Sequence, residues 1–219
     1  MTELDCVLFD LDGLLVDSEP LQYRAYRRAF ADYGITLEIE DWIRWHSVEA
    51  STRRWVEREG IDVDVDELRG VKKGYYDDLI ANELELKPGA AEIVQECARH
   101  FRLALVSASR RESIEGCLAK FGLLQHFSAL VSGAEAARSK PFPDPYLAAI
   151  DLLDSTPHAV IALEDSVTGF RAANAAAIKC VVCPDHFIPK SATAFEQADL
   201  VVESLLELSV QTLRDVHGS

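Results

Sequence analysis

Positive charge is scarce in this sequence relative to negative charge. Its 22 Lys and Arg stand against 37 Asp and Glu, giving a formal net charge of −15 and an isoelectric point near 4.8. Nucleic acid and anionic membrane surfaces both require a basic footprint, so neither is expected as the main partner. Long hydrophobic runs are also missing, and no stretch approaches the length of a membrane span. The five cysteines, Cys6, Cys97, Cys117, Cys180 and Cys183, are odd in number and scattered. That pattern does not suit a disulfide framework and reads as reduced, buried thiols of a cytoplasmic protein. Cys180 and Cys183 do form a C-x-x-C. Their setting, Lys179-Cys180-Val181-Val182-Cys183-Pro184, is a strand stopped by proline, which favours packing over a redox or zinc role. No basic region, long apolar region or small-residue cleavage site precedes Cys6, so a secretory signal is not expected.

The chain has 219 residues, 48% of them hydrophobic and 27% charged. This is ordinary globular composition, with enough length for a core carrying an inserted subdomain. Short apolar runs recur at Cys6–Phe9, Leu103–Val106, Ala129–Val131, Ala159–Leu163, Cys180–Val182 and Leu200–Val202. They show little polar alternation, as expected of strands buried on both faces of a parallel sheet. Amphipathic stretches such as Glu112–Phe121, Asp144–Leu153 and Val167–Ala177 lie between them. Strand and helix in alternation predict an α/β, doubly wound core. Gly122 follows its helix directly and is a natural C-cap. From about Glu19 to Leu86 the alternation stops. Leu21–Tyr33, Asp41–Glu59 and Asp66–Glu85 are helix-like and no strand is evident. A crossover helix needs far fewer residues, so this region is expected to be an inserted all-helical subdomain. Its hinges are expected near Val16-Asp17-Ser18 and Leu86–Gly89.

The densest chemical signal is Phe9-Asp10-Leu11-Asp12-Gly13-Leu14-Leu15-Val16-Asp17-Ser18. A buried strand runs into two carboxylates with one residue between them, then a glycine able to turn the chain. Ligands of open α/β sheets bind beyond the carboxyl ends of the strands. Two carboxylates there repel each other unless a cation or a shared proton compensates. A metal-held carboxylate can attack phosphorus while its neighbour moves the leaving-group proton.

This string resembles motif one of the haloacid dehalogenase superfamily, in the D-x-D-G form of its phosphatase and phosphomutase branch. Three further segments resemble its later motifs in order. Leu105-Val106-Ser107-Ala108-Ser109 is similar to motif two. Ser139-Lys140-Pro141-Phe142-Pro143-Asp144-Pro145 is similar to the motif-three lysine segment, and Leu163-Glu164-Asp165-Ser166 to the acidic motif four. The resemblance implies a Rossmann-like core, residues 1–17 and 88–219, with a helical cap, 18–87, inserted after the first strand. It implies that Asp10 forms an aspartyl-phosphate and that Asp12 is general acid and then base. Ser107 would bind the phosphoryl oxygens with Ala108 beside it, and Lys140 would neutralise charge on the nucleophile and the transferring group. Asp10, the backbone carbonyl of Asp12, and Asp165 would hold magnesium, with Glu164 nearby or ligating through water.

Asp12 separates phosphate chemistry from dehalogenation, because the dehalogenases lack it. Glu19-Pro20-Leu21-Gln22-Tyr23-Arg24-Ala25 resembles the start of the cap in the sugar-phosphate phosphatase and β-phosphoglucomutase subgroup. Gln22 stands where the mutases carry a histidine, and glutamine cannot titrate. A phosphatase of a small phosphorylated metabolite is therefore preferred to a phosphomutase. A non-catalytic binding protein on the same fold is the remaining alternative. Glu19, Gln22 and His46 are the expected substrate contacts in the cap, with His46 replacing a glycine of many relatives. Ala177 likewise stands where many relatives have glycine, and a packing variation is expected there. Arg44, Arg53, Lys72 and Lys73 could meet a second anionic group, although a solvated helix face is the plainer reading. The expected assembly is a monomer or a weak homodimer.

Other features are read as structural. Asp62–Asp66 opens like a calcium-binding loop. Glu67 at the loop's glycine position and Lys73 at its closing position reject that, leaving a loop and helix N-terminus. Trp42, Trp45 and Trp55 are expected in the cap core. His100, His126, His158, His186 and His217 lack metal-ligand spacing.

Overall fold

The computed structural model describes residues 3–48, 52–188 and 195–219, the side chains of 45–48 excepted. The chain falls into two compact units. The first comprises Met1–Val16, Leu86–Asp185 and Lys190–Ser219, and the second Asp17–Glu85 with His186–Pro189.

The first unit is built on six parallel strands: β1 (Cys6–Phe9), β2 (Arg102–Ser107), β3 (Ala129–Ser132), β4 (Val160–Glu164), β5 (Lys179–Val182) and β6 (Leu200–Val201). Their order is β3-β2-β1-β4-β5-β6. Every residue of β1 and β4 is buried. Successive side chains point to opposite faces of a strand, so both faces of the sheet centre are covered. Helices α5 (Ala90–Cys97), α6 (Arg111–Lys120), α7 (Asp144–Leu152), α8 (Val167–Ala175) and α9 (Val210–Gly218) supply the cover. Helix α7 packs on β2 and β3 and against α8, which packs on β4 and β5. Helix α9 packs on β4 and against α5.

The sheet register decides where the chemistry lies. Phe9 pairs with Leu105 on one side and Leu163 on the other. One residue further along each strand stand Asp10, Val106 and Glu164. A single rung at the carboxyl edge thus aligns segments that lie far apart in sequence. After Asp12 the backbone turns at Gly13, whose φ of 80° belongs to the left-handed region that glycine occupies without strain. The Gly13 N–H donates to Val16 O at 3.0 Å and closes the turn.

The second unit holds α1 (Glu19–Asp32), α2 (Ile39–Val48), α3 (Thr52–Arg58) and α4 (Val65–Glu83), with α1 packed along α4. Its core gathers Phe30, Leu37, Trp42, Trp55, Val56 and Leu68, and Phe187 from the segment after β5. Trp42 meets Phe187 edge-on with ring centroids 6.4 Å apart. Trp42 and Trp55 are core residues, as their sequence setting suggests, while the side chain of Trp45 lies outside the described residues. Asp64 caps α4 by accepting from the N–H groups of Asp66 and Glu67 at 2.9 and 3.1 Å. The aspartate-rich stretch is therefore a helix start, since the side-chain oxygens satisfy otherwise unpaired amides. The segment Asp41–Glu59, expected as one helix, is shared between α2 and α3. Thr52, a cap-forming type disfavoured in helix interiors, begins α3, and its hydroxyl lies 2.9 Å from the Tyr26 hydroxyl.

Candidate active site

Beyond the aligned rung, the chain ends of β1, β2 and β4 converge on one ammonium. Lys140 Nζ donates to Asp10 Oδ1 and Glu164 Oε1, both at 2.6 Å, and to Val106 O at 2.8 Å. Its side chain is 6% exposed, and those of Asp10 and Glu164 are 10% and 0% exposed. An ammonium with all three donors placed, two of them on carboxylates, is fixed in position and charge. Burial works against the charged lysine, but the Asp10 and Glu164 carboxylates outweigh it and hold its pKa above the ordinary value. Burial pushes the Asp10 carboxyl up to about 8, against the opposing pull of Lys140.

Asp10, Glu164 and Asp165 are all buried, and each offers an oxygen within 4.8 Å of the others. When all three carboxylates are ionised, the one ammonium leaves a deficit of two positive charges. A small divalent cation corrects that deficit, and an all-oxygen donor set suits magnesium. The residues therefore fit a metal of this kind.

Asp12 points elsewhere. Its Oδ2 accepts from the Ser109 hydroxyl at 2.7 Å and from the Ser107 hydroxyl at 3.3 Å. The Ser107 oxygen in turn accepts from the Ser109 N–H at 3.0 Å. Ser132, at the end of β3, steadies this loop by donating to Ser109 O at 2.8 Å. Asp10 and Asp12, two residues apart, thus face different partners, one the lysine and acidic cluster and the other the serine loop. Ala108 is exposed beside them.

The first unit therefore brings together Asp10, Asp12, Ser107, Lys140, Glu164 and Asp165. Glu19 and Gln22 belong to α1 of the second unit. Gln22 Oε1 accepts from Lys72, whose ammonium also lies 4.0 Å from the Tyr76 ring centroid. Among the other cap cations, Arg44 pairs with Asp41, Arg53 with Asp66 and Lys73 with Asp77, as solvated helix faces do. The His46 side chain lies outside the described residues.

Three residues of the site escape a reading of the sequence. Ser109 is one, and it could have been suspected from its place two residues after Ser107. Tyr146, fully buried on α7, donates to Glu164 Oε1 at 2.5 Å. Burial and the neighbouring Glu164 carboxylate drive its phenol well above the ordinary pKa, so it remains a donor. Gly169 on α8 is the third. A Cβ there would lie 1.9 Å from Glu164 Oε2, so the carboxylate sits where a side chain would otherwise be. The five thiols are free, and burial raises the pKa of Cys97 and Cys117 to about 12 and of Cys183 to about 11, so they are poor nucleophiles.

Residues 7–183 match the family of haloacid dehalogenase-like hydrolases. Protein CbbY of Cereibacter sphaeroides is 30% identical over 218 residues, covering 94% of each chain. Hexitol phosphatase B of Escherichia coli K12 is 32% identical over 216 residues, covering 94% of this chain and 95% of its own. The crystal structure of CbbY from Rhodobacter sphaeroides in complex with phosphate superposes with a TM-score of 0.81 at 28% identity, covering 97% of this chain and 99% of that one. A mutant of the same protein in complex with xylulose-(1,5)bisphosphate superposes with a TM-score of 0.77 at 27% identity, covering 94% and 96%.

Proposed function

Because the chain belongs to the haloacid dehalogenase-like hydrolases, we propose that it is a magnesium-dependent phosphatase of small phosphorylated sugars, working through an aspartyl-phosphate on Asp10. The observation that carries this reading is the placement of Asp10, buried, bonded to Lys140 at 2.6 Å and grouped with Glu164 and Asp165. The similarity to a hexitol phosphatase and to a protein solved with a sugar bisphosphate supports the substrate class.

Asp10, Asp165 and the backbone carbonyl of Asp12 are the proposed holders of the metal, which supplies charge for the phosphoryl oxygens. In the first step an Asp10 oxygen bonds to phosphorus while the ester P–O bond breaks, and Asp12 gives its proton to the leaving oxygen. In the second, water attacks the same phosphorus, Asp12 takes back a proton, and the Asp10–phosphorus bond breaks. Ser107 and Lys140 donate to the phosphoryl group and to the nucleophile as negative charge redistributes. Fixed donors of this kind carry most of the catalysis in phosphoryl transfer. Ser107 now donates to Asp12, so on this account an arriving phosphoryl group competes for that hydroxyl. Ser109 alone then holds the acid.

The helical unit is the proposed source of substrate selectivity through Glu19, Gln22 and His46. Gln22 has no titratable group to re-activate an acid on a returning sugar, which favours release of phosphate to water. A phosphate-release screen over sugar phosphates with magnesium, run beside Asp10→Asn, tests the reading. Release abolished by the substitution is expected. No release from any ester would favour a binding protein, and an isomerised sugar phosphate with little free phosphate would indicate a mutase.

A further inference from the structure

Glu164 lies within reach of four protein donors. Oε1 accepts from Lys140 Nζ at 2.6 Å and from the Tyr146 hydroxyl at 2.5 Å. Oε2 accepts from the Asp165 N–H at 3.3 Å and the Ser166 hydroxyl at 3.4 Å. The two short bonds both fall on Oε1, so that oxygen is the one held firmly. The Tyr146 ring also backs the lysine, its centroid 5.1 Å from Nζ. Tyr146 is fully buried on α7, and Gly169 on α8 leaves the room that the carboxylate fills. The two helices pack together, so the carboxylate is gripped between them.

We propose that Tyr146 is a positioning residue for phosphoryl transfer: by holding Glu164 on Lys140, it keeps the lysine on Asp10. This rests on the role given above to Lys140. Without the phenol hydroxyl, Oε1 would keep one donor instead of two. The carboxylate would then be free to turn toward Asp10 and Asp165, whose oxygens are within 4.8 Å, and Lys140 would lose a fixed partner. Tyr146 does not touch the reacting atoms, so its removal should weaken the transition state without weakening substrate binding.

The test is Tyr146→Phe in the full chain, with two readouts. Steady-state kinetics should show kcat lower by about tenfold with KM changed by less than about twofold, the size of a lost hydrogen bond to a charged group. Nitrogen–proton NMR of the buried Lys140 ammonium, assigned by its loss in Lys140→Met, should show slow exchange with water in the parent and faster exchange in the variant. This second readout needs no substrate, so it decides the inference even if the parent hydrolyses no sugar phosphate and the functional reading fails. Gly169→Ala, which drives a methyl group into the carboxylate, should reproduce the signature and serves if Tyr146→Phe does not fold. Unchanged kcat, a loss carried by KM, or a lysine signal indifferent to both substitutions would overturn the proposal. So would a lysine signal exchanging rapidly in the parent.

Discussion

Lys140→Met removes the ammonium that lies 2.6 Å from both Asp10 Oδ1 and Glu164 Oε1. All three side chains are 10% exposed or less, so solvent screening gives little relief. Removing one partner of a buried ion pair costs about 3–5 kcal/mol, because the other charge is left uncompensated. A domain is stable by about 5–15 kcal/mol in total, so the loss is a large fraction of the whole. The pH dependence has a definite sign. Burial already raises the Asp10 pKa to about 8, and Lys140 is the main influence holding it down. Without Lys140 it rises further, and the variant binds a proton in the fold that the unfolded chain gives up. Protonation removes the repulsion with Glu164. The loss is therefore greatest above the raised pKa and shrinks as pH falls below it. Urea unfolding in the presence of a chelator, at about pH 6 and about pH 9, measures both features. The expected result is a loss of about 3–5 kcal/mol at the higher pH and a smaller loss at the lower. A loss under about 1 kcal/mol at both, or one that grows toward low pH, would refute the reasoning.

Asp12→Asn should cut kcat/KM for a sugar phosphate by about 10²–10⁴-fold, and by much less for an aryl ester whose leaving oxygen needs no proton. Equal losses on the two esters would remove Asp12 from the acid role. On the proposed ligation, magnesium would have to displace the proton of Asp10, whose pKa is pushed up to about 8. Calorimetric titration should find affinity falling as pH drops below that value, by up to about tenfold per unit. A flat profile would place the metal elsewhere. Ala177→Gly should stabilise the protein by about 0.5–1 kcal/mol, because Ala177 has a φ of 57°, where a Cβ is strained. Thermal unfolding at or below the parent's midpoint would contradict this.

The strands were legible because a parallel sheet buries both faces, and runs such as Cys6–Phe9 and Ala159–Leu163 carry that requirement without polar alternation. The sequence setting of Asp10 and Asp12 placed them correctly at the carboxyl edge, since that depends only on the strand before them and the glycine after. Ala177, expected as a packing variation, is instead a residue with a left-handed backbone. Its left-handed backbone follows from the chain's exit from α8 toward β5, which composition does not reveal. Tyr146 and Gly169 were hidden for another reason. Their role is defined by Glu164, 18 residues from Tyr146, and by the packing of α7 on α8. A tyrosine inside Asp144–Leu152 reads as ordinary core, and a glycine inside Val167–Ala175 as a weak helix former. Ser109 acts on Asp12 across 97 residues of sequence. The residues proposed to do chemistry sit at strand ends with their own local signals, whereas those that would position them are visible only once β1, β2 and β4 are in register.

Hydrolysis by the proposed route requires the Asp10 carboxylate to bond to phosphorus. Acid quenching during turnover, followed by mass spectrometry of the peptide that carries Asp10, measures this directly. The prediction is a phosphate on Asp10 in the parent, enriched in Asp12→Asn if loss of the base slows hydrolysis, and absent in Asp10→Asn, which should also release no phosphate. Turnover with no phosphate on Asp10, or release that survives Asp10→Asn, would contradict it.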